Sequence, residues 1–214
     1  MKVSICGVDP GYTGGLSIFS EKDLEMPIVY KMPIIKEVQK TSGKTKIKQS
    51  YDLLEIKKIF DMHLNNNSIF YLEKVAPHYG EGSVSSFNFG KGYGNLEGLI
   101  VGLFNKMPIE VTPQAWKKHF PELITSEMVD IKVQMKELRL INKKTKETKA
   151  QIENKKQIDK LGRQFKFLAK TEARNLASKL YPSLSDNFVK KNSDGIAESL
   201  LIALFGKDKQ NGLV

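Results

Sequence analysis

The start of the chain constrains its fold more than any other segment. Val3–Val8 is a short apolar run that ends in Asp9, Pro10 and Gly11, and apolar character resumes at Leu16–Phe19 after a glycine-rich turn. Apolar runs of strand length on either side of turn residues predict a β-hairpin. Asp9 closes the first strand and enters a Pro-Gly turn, so a stiff backbone holds its carboxylate at a sheet edge. Standing alone, it reads equally well as a turn-forming aspartate.

The remainder reads as alternating elements of one α/β domain, the size that 214 residues favour. Met32–Gln49 is polar and lysine-rich without clear periodicity, which predicts a strand margin followed by a mobile loop. Leu53, Ile56, Phe60 and Leu64 recur at helical spacing within Tyr51–Leu64, and Ile69–Val75 reads as a strand. Gly80–Gly94 is rich in Gly and Ser and reads as a loop, with Asn95 capping a helix that runs to about Lys106. Ile109–Val111 is a short strand, and Pro113 begins a helical turn through Trp116 and Lys117. Two basic amphipathic helices follow, on Ile131, Met135 and Leu138 and on Ile158, Leu161, Phe165 and Leu168. Thr171–Leu180 continues as helix, Pro182 breaks it, and Asp194–Phe205 forms a last helix ending at Gly206.

Charge decides which partners suit such a domain. The net charge is +10, and residues 131–170 alone hold 13 Lys and Arg against 4 Asp and Glu. That concentration favours a polyanion, whose condensed counterions are released when lysines neutralise phosphates. One cysteine, Cys6, excludes an internal disulfide and fits a reducing compartment, where a buried strand thiol is inert. Asp9 interrupts the first apolar run too early for a signal-peptide core, and no later window approaches a membrane span. The expectation is a soluble, cytoplasmic protein.

Four acids from three segments, Asp9 among them, carry the chemistry. Glu73 is the only acid in an apolar and aromatic strand, where an ionised side chain must be paired or bind metal. Asp194 and Glu198, four apart at the start of the last helix, face the same way; in isolation they also read as a solvated helix start. Together, a strand hairpin, a neighbouring strand and a late helix can converge their acids on one point. An all-carboxylate cluster suits Mg²⁺ better than Zn²⁺, and His63, His78 and His119 show no ligand spacing. Two such ions would activate a water and stabilise the leaving oxygen of a phosphodiester.

GVDPG on the first strand, YLEKV on the later strand and SDGIAESLLIA on the last helix resemble, in that order, the RuvC-like Holliday junction resolvases. The stretch VTPQAWKK adds a likeness to the phage-encoded branch of that family. The resemblance implies an RNase H-like fold: a mixed five-stranded sheet flanked by helices, here a single domain with a basic helical insertion at about 121–166. It implies that Asp9, Glu73, Asp194 and Glu198 bind Mg²⁺, with Mn²⁺ substituting and two ions per site. Lys117 and Lys170 match the family's lysines at the margin of the active site. The implied substrate is branched DNA, four-way junctions and forks, cut by a homodimer in the cytoplasm, that of the host if the chain is phage-encoded. Expected DNA contacts are Lys91, Lys117, Lys118, Lys143, Lys144, Lys146, Lys149, Lys170 and Arg174, and Asn95–Lys106 is the expected dimer interface.

This sequence departs from the family pattern in three places. The family usually spaces its last two acids three apart, which from Glu198 lands on Gly195; the wider spacing favours Asp194 as the principal helix ligand. The family's wedge phenylalanine falls on Ala76, leaving Tyr79, Phe87 or Phe89 to stack on an opened base or simply to pack. The segment around 121–166 is longer than the bacterial pattern and reads as a DNA-contacting arm or as a solvated helical face. Two other classes fit parts of the pattern. An actin-like phosphotransferase also opens on a strand acid and a glycine turn, but needs a second phosphate loop and lobe. A non-catalytic nucleic-acid-binding protein would use the basic helices alone.

Overall fold

A computed structural model describes residues 3–41, 44–76, 82–144 and 148–213. The hairpin forms as expected: β1 (Ile5–Asp9) pairs antiparallel with β2 (Gly15–Ser20), and β2 with β3 (Asp23–Lys31). On its other side β1 runs parallel to β6 (Ile69–Glu73), which is parallel to β7 (Ile109–Val111). The result is a five-stranded mixed sheet in the order β3-β2-β1-β6-β7.

Strand alternation divides the side chains between two cores. Cys6, Val8, Phe70 and Leu72 face α1 (Leu53–His63) and α2 (Ser83–Phe104), meeting Ile56, Phe60, Leu96 and Ile100. Ile5 and Tyr71 face the opposite layer, where α3 (Pro113–His119), the end of α5 (Thr148–Leu180) and α6 (Asp194–Gln210) supply Trp116, Leu176 and Leu200. Burial pushes the Cys6 thiol far above its ordinary range, in keeping with an inert core residue. Among the described residues no helix is long and apolar enough to cross a membrane.

Glycines set the distance between α6 and the sheet. A Cβ on Gly7 would lie 2.3 Å from the backbone nitrogen of Ala203, and one on Gly195 would lie 2.1 Å from the carbonyl oxygen of Thr13. Only bare backbone lets α6 seat this closely, and its first turn thereby touches the loop that follows Asp9. Gly195→Ala should force the two apart. The expected loss is roughly 1–3 kcal/mol of stability in urea melts, as for other overpacked positions, together with weakened activity; an unchanged melt would show that the loop yields freely.

Three expectations need correction. Met32–Gln49 is not a loop: β4 (Ile34–Thr41) and β5 (Lys44–Tyr51) form a separate antiparallel ribbon. Cross-strand pairing, including Val38 opposite Ile47, holds it with little burial, so its apolar content is too low to betray it. Gly82–Gly94 is not a loop either, because α2 begins at Ser83 and Gly82, not Asn95, is its N-cap. Packing requires one of its glycines: a Cβ on Gly92 would strike the Tyr51 ring at 2.6 Å, while Gly90, Gly94, Gly98 and Gly102 face open space. The last helix passes through Gly206, which lies against Tyr71, and ends at Gln210. The two basic helices form as the spacing predicts: α4 (Ser126–Lys144) lies beside α5, which runs unbroken for 33 residues through Thr171–Leu180. Only Met128 and Ile131 of α4, and Ala173, Leu176 and Ala177 of α5, are buried, so the far half of this pair stands away from the core as an arm.

Candidate active site

Residue parity brings the strand acids together. Asp9 shares a strand face with Ile5 and Gly7, and Glu73 with Ile69 and Tyr71, so both look toward α6, one step beyond the register pair Val8–Leu72. Asp194 opens α6, and Glu198 follows one turn later. The helix start is not solvated: the side chains of Asp194 and Glu198 are only 8% and 15% exposed. Lys170 of α5 donates to Asp194, and Lys117 of α3 donates to Glu198 Oε1 at 2.8 Å.

The electrostatics record how tightly these groups crowd. Burial first, then the negative charges of Glu198, Glu73 and Asp194, hold the Asp9 carboxyl well above the usual carboxylate range, with Lys117 opposing. Burial also raises Glu73, with Glu198 adding to it, against the hydrogen bond from Trp116 and the charge of Lys117. The Lys170 ammonium is raised mainly by its bond to Asp194, against its own partial burial. Four carboxyl groups therefore share one enclosed field with two lysines, an excess of acids over bases.

All donors in this set are oxygens, the chemistry that suits a hard divalent cation. As placed, no three Asp, Glu, His or Cys side chains among the described residues are grouped to hold a metal ion. Two of the four acids point instead to their lysines. The fit thus lies in the donor chemistry and the excess of acids over lysines, with Lys117 and Lys170 holding two of the acids that a cation would claim.

Trp116 is the residue that sequence reasoning missed. Fully buried, it donates from Nε1 to Glu73 Oε1 at 2.8 Å, and the Lys117 ammonium lies 4.8 Å from its ring centroid. The only signal was its place in VTPQAWKK, where Thr112 caps α3 with its side chain on the Ala115 nitrogen and Pro113 fixes the first turn. Trp116→Phe should remove a bond to a charged acceptor, a loss of about 2 kcal/mol, and let Glu73 rotate. Thermal melts should fall and activity should drop with them; a variant that loses neither would detach Trp116 from the site.

The remaining expected residues separate. Lys118 is exposed on α3, one residue from Lys117, and Lys91 is exposed on α2. Lys143, Lys144 and Lys149 are exposed at the far end of the arm, well removed from the acids, and Lys146 lies outside the described residues. Arg174 is engaged locally, bonding the Lys191 carbonyl and Thr171 Oγ1. His63 bonds the Tyr30 hydroxyl and His119 bonds Asp208, so neither faces the acids; His78 lies outside the described residues. Among the aromatic candidates, Phe87 is 70% exposed on the first turns of α2, and Phe89 lines a cleft of about 470 Å³ with Glu73, Ala76 and Pro113. Tyr79 lies outside the described residues.

The ribbon is a second basic element with its root at the acids. Residues 31–51 contain six Lys and one Glu. At its base the Met32 nitrogen bonds the Gly14 carbonyl, and Tyr51 packs edge-on against Tyr12 at 5.2 Å, in the loop after Asp9. Lys36, Lys40 and Lys48 are exposed along it.

Fold and site together define an α/β protein whose carboxylates gather where two parallel strands end beneath a helix start, with a basic ribbon and a basic helical pair rooted nearby. In comparisons with known proteins, no family model matches the chain and no curated protein matches it.

Proposed function

We propose that this protein is a metal-dependent endonuclease of the RuvC-like resolvase kind, with an RNase H-like fold, that cuts branched DNA. The observation that carries the reading is the convergence of Asp9, Glu73, Asp194 and Glu198 from three distant segments into one enclosed field margined by Lys117 and Lys170. A purely DNA-binding protein has no use for four crowded acids, two of which, Asp9 and Glu73, are held against their own ionisation. An actin-like phosphotransferase needs a second glycine-rich phosphate loop, and neither projection resembles one.

Asp9, Glu73, Asp194 and Glu198 are the residues that would hold Mg²⁺, which supplies an activated water and charge stabilisation at the scissile phosphate. Around it the chain's own groups have separate tasks. Trp116 fixes one oxygen of Glu73, leaving the other oriented by the strand. Lys117 and Lys170 neutralise the acids in the free protein, and once released they stand where they can meet the negative charge of the phosphate. The ribbon and the arm, each rooted near the acids, hold DNA by its backbone. Paired nicks across a junction need two copies of the site, so the active form is a homodimer; α2 buries Leu96 and Ile100 inward and leaves the outer side of 95–106 for that contact.

The test is a cleavage assay on four-way junctions, forks, flaps and linear duplex of matched sequence. Mg²⁺-dependent nicking that prefers branched substrates is the expected result. Tight binding with no cutting in Mg²⁺ or Mn²⁺ would favour the non-catalytic reading instead.

The projections should govern affinity. Replacing Lys143, Lys144 and Lys149 of the arm, or Lys36, Lys40 and Lys48 of the ribbon, with Gln should weaken junction binding and flatten its salt dependence by nearly one logarithmic unit per lost phosphate contact. The loss should be similar across junction sequences, because phosphate contacts do not read bases. Unchanged salt slopes would assign these lysines to a solvated face.

A further inference from the structure

Lys117 also borders a cleft of about 450 Å³ formed by α3 and the roots of α4 and α5. Its walls are apolar, with Leu123, Met128, Phe165 and Ala169 among them, while Lys117, Lys118 and Lys132 stand in its lining with no acidic residue. The Lys132 ammonium already lies 5.1 Å from the centroid of the Phe165 ring. Two features connect this cleft to the acids: Lys117 belongs to both, bonding Glu198 across 2.8 Å, and Ala169 precedes Lys170, the partner of Asp194.

An occupant of such a cleft needs an apolar, flat body and a negative charge beside it. A nucleotide has both. A base has a π face that an aromatic ring accepts whatever its identity, and its phosphate suits lysines that lack an internal acid. A volume of this size is within the range of small-ligand clefts and suits one nucleotide, not a duplex. We propose that this cleft receives a single unstacked nucleotide of the DNA strand that runs to the acids, its base against Phe165 and its phosphate between Lys118 and Lys132. The inference rests on the nuclease reading. It gives the basic helices a second task, because Met128, Lys132 and Phe165 all belong to the segment that reads in the sequence as an affinity arm.

The experiment uses the full chain in EDTA with four-way junctions carrying 2-aminopurine at successive positions around the branch point. One position should brighten severalfold on binding, as a base leaving its stack does. Ala169→Phe, which fills the cleft and keeps every lysine, should abolish that signal and weaken junction binding about tenfold, the scale of one lost base stack. Phe165→Ala combined with Lys132→Gln, which empties the cleft instead of filling it, should do the same. The inference is overturned if the wild-type chain cuts junctions but no position brightens, or if the brightening survives in both variants; either result leaves the nuclease reading standing. A wild-type chain that neither binds nor cuts the junction overturns both.

Discussion

Asp9→Asn should reduce cleavage to the background of the assay while leaving junction binding intact or tighter, and the variant should melt at a higher temperature than the wild type. The first effect follows from removing a central oxygen donor, the second from lessened repulsion of phosphate. The third follows from the field around Asp9, whose folded-state affinity for its proton is raised above that of the unfolded chain by burial and by three neighbouring acids. An acid shifted in that direction costs the folded state stability once pH rises above its unfolded pKa, and the cost is complete above its folded pKa. Asparagine carries no charge and removes the cost. Glu73→Gln should behave alike in activity, with a smaller gain in stability because Trp116 already compensates Glu73 in part. Near-normal turnover in either variant would sink the site assignment, and a lower melting temperature for Asp9→Asn would contradict the electrostatic account.

Asp194→Asn should damage cleavage as severely as Asp9→Asn, and Glu198→Gln less. Asp194 is the more enclosed of the two, and Gly195 pins its backbone against Thr13 and Gly14 in the loop that follows Asp9. It therefore has one place to go. Glu198 lies a full turn along α6, is more exposed, and has a longer side chain with more rotamers. A residue with that freedom contributes less to fixed geometry, and water can replace one of its oxygens. Single-turnover rates of the two variants on one junction would settle the order, and the reverse ranking would make Glu198 the principal helix ligand.

Much of this site is legible in the sequence because it rests on short-range rules. Asp9 and Glu73 each end an apolar strand, and period-two alternation is enough to orient them. Asp194 and Glu198 are one helical turn apart, which puts them on one face. The parts that escape are fixed by contacts between distant residues. Nothing local says that Trp116 reaches Glu73, or that Gly195 meets Thr13, since each depends on how α3 and α6 pack on the sheet. The ribbon escapes for another reason. Its stability comes from cross-strand pairs such as Val38 and Ile47, 65% and 59% exposed, so no buried face imprints a pattern on it. The start of α2 is hidden by glycines that look like loop; at Gly92 an aromatic ring occupies the space of a side chain, whereas Gly90 and Gly94 face open space.

The most direct test of the four acids as one cutting centre is a metal exchange on a preformed complex of the wild-type protein with a four-way junction. In Ca²⁺, whose larger and looser coordination sphere positions an attacking water poorly, the complex should form and the DNA should stay whole. Adding excess Mg²⁺ should then release paired nicks near the branch point, and the same addition to Asp9→Asn should release none. Equal cutting in EDTA and in Mg²⁺, or cutting by Asp9→Asn at the wild-type rate, would contradict the account.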